Sequence, residues 1–179
     1  DGLDRGALSL GHRHEAGLDQ HAVDEDRAGP AFAGATVSST TITTPANQLE
    51  DNYYFEASPD NKWIAITGYQ SDIVTLVDTT TNTQVAVTDA GSEIMDPQGV
   101  VFSADSSTVF VALYGDSKIS VIDVATASVV DSITTDVDQN IALALSNDGS
   151  TLIVSDSYGN VTTFDAATGT RLNSYSATQ

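Results

Sequence analysis

Ser103-Ala104-Asp105-Ser106-Ser107-Thr108-Val109-Phe110-Val111-Ala112-Leu113-Tyr114-Gly115-Asp116-Ser117-Lys118-Ile119-Ser120-Val121-Ile122-Asp123 reads as turn, apolar strand, turn, and a second strand ending in aspartate. The same order occurs on either side of it. Ser58-Pro59-Asp60 leads to Thr75-Leu76-Val77-Asp78, and Ser146-Asn147-Asp148 leads to Thr162-Thr163-Phe164-Asp165. The serines lie 45 and 43 residues apart and the terminal aspartates 45 and 42. A period of about 40–45 residues made only of short strands means one four-stranded propeller blade per repeat. The expected fold class is therefore all-β: a β-propeller segment of about three four-stranded blades plus one extra outer strand, part of a larger ring.

Alternation of Val, Ile and Thr with polar residues places the strands. They are expected near 53–57, 62–67, 72–78 and 84–88 in the first blade. The second should have 99–103, 108–113, 117–123 and 128–134, and the third 141–145, 151–155, 160–165 and 171–176. The blades themselves span 52–96, 97–140 and 141–179. Thr36 to Thr44 resembles Ser128 to Thr134, so 36–51 reads as the outer strand of an incomplete blade. A repeat entered in mid-blade points to a fragment of a longer chain, or else to copies that associate to complete the ring through 55–96 and 141–175. Phe102, Val111 and Ile122 belong in packed interiors, and Asp105 and Asp148 in exposed turns. Asp78, Asp123 and Asp165 open the next turn, where an aspartate side chain accepts hydrogen bonds from the turn backbone.

Residues 1–35 differ from the rest. They hold His12, His14 and His21, three of the four arginines, and no clear period, so they read as an irregular arm or linker with a short helix at most over 16–28. The histidines, with Asp24, Glu25 and Asp26, could hold a transition metal only once ordered.

Acidic residues number 25 against 6 basic ones, a net charge of −19. Such a polyanion repels nucleic acid and anionic membrane surfaces. Low Lys with high Asp suits a halophilic setting, where salt screens self-repulsion, and equally a secreted protein. Stability should then rise from low to molar sodium chloride. Cysteine is absent, which excludes disulfides, cysteine-ligated zinc and thiol catalysis. No apolar run approaches the roughly 20 residues of a membrane span, so membrane insertion is not expected.

The stretches Val111 to Thr126 and Ser155 to Gly169 resemble the YVTN-type β-propeller repeat, over about 52–179. That family includes lactonase-like enzymes, cell-surface repeat proteins and subunits of redox enzymes. The resemblance implies an extracellular, periplasmic or cell-surface location and leaves the activity open.

In such a propeller, the loops between second and third strands share one end with the links between blades. This brings together Tyr69, Tyr114 and Tyr158 with Glu50, Asp51, Asp72, Glu93, Asp96, Asp116, Asp136 and Asp138, a set that could bind a cation or a sugar. Tyr69, Tyr114, Tyr158, Asp72 and Asp116 are the candidate ligand-binding residues, for a protein or a carbohydrate. The alternative is that each tyrosine packs between blades and the acids are simply solvated. Asp96, Asp136 and Asp138 are the candidate metal ligands. Asp136-Val137-Asp138-Gln139-Asn140 matches the start of a calcium loop, but Ile141 stands at its sixth position and Asn147 at its twelfth. The expected cofactor is none, or a divalent cation such as calcium. No catalytic residue is assigned, because every histidine lies in the arm and no Ser–His pair can form in the repeats. The reading is a secreted or cell-surface binding and scaffold module. Its rival is a lactonase-like, metal-dependent hydrolase with channel carboxylates.

Overall fold

The computed structural model describes residues 53–87, 94–136 and 139–176. The arm at 1–35, the strand expected at 36–51 and the candidate ligand Asp138 lie outside the described residues. Among the described residues twelve strands form: β1 (Tyr53–Ala57), β2 (Trp63–Gly68), β3 (Ile73–Asp78), β4 (Thr83–Ala86), β5 (Pro97–Phe102), β6 (Thr108–Leu113), β7 (Lys118–Asp123), β8 (Ser128–Thr134), β9 (Asn140–Leu145), β10 (Thr151–Asp156), β11 (Asn160–Asp165) and β12 (Arg171–Ser176). They make three four-stranded sheets, each an antiparallel meander in chain order. β5 lies against β1 and β2 on one side and against β9 on the other. Among the described residues, no helix is long and apolar enough to cross a membrane.

The pattern of each strand tells how many of its faces are covered. Val109-Phe110-Val111-Ala112-Leu113 in β6 is apolar without alternation, and all five residues are buried. A strand buried on both faces needs such a run. Val109 and Val111 join Ala65, Val74 and Leu76 of the first sheet in one core cluster. Phe110 faces the other way and packs with Ile119 and Ile133 against Leu152, Val154 and Phe164 of the third sheet. In β10 the pattern alternates strictly, with Leu152, Val154 and Asp156 buried. β12 is exposed throughout, consistent with its Arg171-Leu172-Asn173-Ser174-Tyr175-Ser176 sequence. Phe102, Val111 and Ile122 are buried as expected, and Asp105 and Asp148 are exposed.

The repeated Ser-x-Asp turn has the same wiring three times. Ser58, Ser103 and Ser146 donate their hydroxyls to Asp60, Asp105 and Asp148 at 2.6, 2.6 and 2.5 Å. Each serine Oγ in turn accepts the N–H of the next strand's first residues, from Trp63, Thr108 and Thr151, at 2.9 Å. Each aspartate accepts the N–H two residues on, from Lys62, Ser107 and Ser150, at 3.1 Å. In the following turn Asp78, Asp123 and Asp165 accept the backbone N–H groups of Thr80, Thr126 and Thr168 at 2.8, 2.7 and 2.8 Å.

These bonds favour the charged carboxylate. The serine hydroxyls beside Asp105 and Asp148 are the largest influence there, and both acids are held down at about 2. Asp78 also falls to about 2, chiefly through the Thr80 hydroxyl. A depressed folded pKa gives stability above the unfolded value of about 4 that is lost as pH falls further. The melting temperature should therefore drop between about pH 4 and pH 2, by a modest amount per turn because these carboxylates face solvent. The Ser103→Ala, Ser146→Ala double variant should show a shallower drop; identical slopes would contradict the assignment.

Candidate ligand-binding site

The loops after β2 and β6 meet the link that enters β5. Tyr69 follows β2 and Tyr114 follows β6; their rings pack edge to face, with centroids 5.5 Å apart and planes at 82°. Backbone bonds join the segments. Tyr114 N–H donates to Asp96 O at 3.0 Å and Gly115 N–H to Met95 O at 3.4 Å. Asp96 N–H donates to Asp72 Oδ1 at 2.7 Å, across 24 residues of chain. Both aspartates have left-handed backbones, with φ of 53° at Asp72 and 47° at Asp96. Aspartate and asparagine tolerate that region better than most residues.

Asp96 is partly buried, and burial together with the Asp72 charge raises its carboxyl above the ordinary range. Burial and the neighbouring Asp96, Tyr114 and Tyr54 also raise the Tyr69 hydroxyl. Tyr54, on β1, is 39% exposed and donates its hydroxyl to Gln98 Oε1 at 3.4 Å. Met95 is 38% exposed beside them.

The next junction repeats the design. Gln139, with φ of 64°, holds the place that Asp96 has at the first junction. Its N–H donates to Tyr114 O at 3.1 Å, and Ser157 N–H donates to Gln139 O at 3.1 Å. Its Oε1 accepts the Tyr114 hydroxyl at 3.1 Å and also the Ser157 hydroxyl.

The structure thus brings Tyr69, Tyr114, Asp72 and Asp96 to one place. Asp116 is close in sequence but is paired with Lys118 Nζ at 2.7 Å. Tyr158 is 57% exposed at the β10–β11 turn, its N–H bonded to Asp156 Oδ1 at 2.8 Å, and among the described residues it makes no ring contact. Of the metal candidates, Asp136 forms an ion pair with Arg171 rather than gathering with Asp96. Among the described residues no group of three His, Asp or Glu side chains is placed to hold a metal ion. The sequence placed Asp96 on this face with Tyr69, Tyr114 and Asp72, and also among the metal candidates, but gave no sign of Tyr54 or Met95. Tyr54 had no repeat signal to find it by, because Gly99 and Ala142 stand at the aligned positions.

No family model and no curated protein matches the chain. In structure, 1056 solved chains are similar, so the architecture is widely shared and does not select an activity. One is hydrazine synthase of Kuenenia stuttgartiensis, at a TM-score of 0.60 and 22% identity over 69% of this chain. At that identity the likeness is one of fold. This chain spans 35% of the length of that one.

Proposed function

We propose that the three sheets are blades of a larger β-propeller of the YVTN repeat type, and that the chain is a secreted or cell-surface binding and scaffold module without catalysis. The sequential meanders, with β1, β5 and β9 adjacent, support the blade reading. Further blades or a second copy complete the ring. The observation that carries the binding role is the Tyr69–Tyr114 ring pair beside Asp72 and Asp96, at one end of the sheets where the loops converge. Aromatic rings next to carboxylates offer apolar area and strong acceptors together, which suits a protein or carbohydrate ligand. The net charge of −19 argues against nucleic acid.

The test is a screen of the chain on peptide and glycan arrays, with a Tyr69→Leu, Tyr114→Phe variant alongside. Retention by one ligand class that the variant loses is the expected result. Lactone hydrolysis that requires a divalent cation would overturn the reading in favour of the hydrolase.

A further inference from the structure

The two junctions between sheets use repeat-equivalent residues, and each serves as a control for the other. Between the second and third sheets, Gln139 is neutral, and its side-chain oxygen is satisfied by the Tyr114 and Ser157 hydroxyls. Between the first and second sheets, Asp96 puts a carboxylate in the same place. Asp96 Oδ2 lies where a Cβ on Gly115 would come within 2.8 Å of it, so the carboxylate abuts the Tyr114 loop. Asp72 is bonded to the Asp96 backbone, which sets a second carboxylate against the first. The basic side chains of the described residues are engaged elsewhere: Lys62 with Asp60, Lys118 with Asp116 and Arg171 with Asp136. The first junction therefore combines two carboxylates lacking a basic partner among the described residues with a pair of tyrosine rings.

We infer that this junction binds an organic cation, an ammonium or guanidinium group of a ligand, held by Asp72 and Asp96 and covered by the Tyr69 and Tyr114 rings. The inference rests on the binding-module reading and names its ligand class. A cation relieves the repulsion between the two carboxylates, which a neutral sugar does not. The electron-rich ring faces attract an ammonium group and do not supply the six or more oxygens that calcium takes. Among the described residues no third acidic ligand stands there to add to the pair.

The test is a nuclear magnetic resonance titration of the full chain with tetramethylammonium chloride, against sodium chloride at equal ionic strength. The expected result is saturable shifts around Tyr69 and Tyr114 with tetramethylammonium only. The Asp72→Asn, Asp96→Asn variant should bind at least tenfold more weakly. Asparagine suits the left-handed backbone at both positions, so its melting temperature should equal or exceed that of the original. Tyr69→Leu, which keeps both carboxylates, should weaken binding at least threefold. Non-saturable shifts, or equal binding by the asparagine variant, would overturn the inference. A saturable response to calcium chloride or a neutral oligosaccharide in place of tetramethylammonium would overturn it too, while leaving the module reading intact. Cation-dependent lactone hydrolysis, in contrast, would remove the module reading itself.

Discussion

Replacing Gly99 by alanine is expected to lower the melting temperature by about 10 °C, with little change in the shape of the transition. Gly99 lies in β5, where β5 runs against β9. A Cβ there would stand 2.6 Å from Ile141 O, 2.7 Å from Ala142 Cα and 2.9 Å from Leu143 N. All three atoms are backbone, so no side chain can turn aside and the sheets themselves must separate. Overpacking a tight interior costs about 1–3 kcal/mol, and rigid neighbours put this site at the upper end. In a domain of this size about 1 kcal/mol moves the melting temperature by about 2–4 °C. Gly115→Ala is the matched control. Its added Cβ would meet Asp96 Oδ2 at 2.8 Å and Met95 Cβ at 3.1 Å, both side-chain atoms with some freedom to move. A loss of a few degrees at most is expected there. If Gly99→Ala melts with the original protein, β5 and β9 are not held as close as the structure places them.

Strand positions were legible because three copies of one pattern constrain each other. Expectation and structure coincide for β1, β6, β8, β11 and β12, where turn residues mark the strand ends in each copy. β5 begins at Pro97, two residues before the expected start, because Pro97 pairs with Leu113 ahead of an irregularity that shifts the register before Val100. A proline can open a strand, since its missing N–H is not yet needed by the ladder.

Backbone handedness was legible only where glycine marks it. Gly149 has φ of 73°, and the aligned Asn61 and Ser106 have 61° and 64°. Gly169 at 68° aligns with Asn82 at 57° and Ala127 at 48°. The third repeat therefore reported the conformation of the other two through alignment; Asn61 and Asn82 suit it by their own chemistry, whereas Ser106 and Ala127 do not mark it. The candidate site was harder to read. Its tyrosines were visible as a register. Which of them would meet, and which acid would go unpaired, depended on how the links between sheets fold. Asp116 and Asp136 look like Asp72 and Asp96 in sequence, but they have Lys118 and Arg171 within reach.

Asn140 was equally hidden, since it reads in sequence as the fifth residue of a defective calcium loop. In the structure it opens β9 and is fully buried. Its Nδ2 lies 3.0 Å from Thr135 Oγ1 and 3.4 Å from each of the Leu113, Asp116 and Lys118 carbonyls. Those acceptors belong to the strand ends and loops of the second sheet, so one amide of the third sheet ties them together. Its Oδ1 is the buried side-chain polar atom among the described residues that has no hydrogen-bond partner. The residue is therefore held for its donors. Asn140→Asp should lose about 3–5 kcal/mol at pH 7, because the new carboxylate would be a buried, uncompensated charge facing four oxygens. Asn140→Ala, which removes the donors without adding charge, should lose only about 1–3 kcal/mol. The two also differ in their response to acid. Burial among acceptors raises the folded pKa of the introduced aspartate above its unfolded value of about 3.9, so the unfolded state is the one that gains by ionising. Stability of Asn140→Asp should consequently rise as pH falls from 7 to 5, where the carboxyl protonates and recovers one donor. Asn140→Ala should follow the original protein over the same range, which lies above the window in which the turn aspartates protonate. Denaturant unfolding of the three proteins at both pH values measures this. An Asn140→Asp variant no weaker than Asn140→Ala at pH 7, or one that gains nothing relative to it at pH 5, would show that the amide nitrogen is not what joins the second and third sheets.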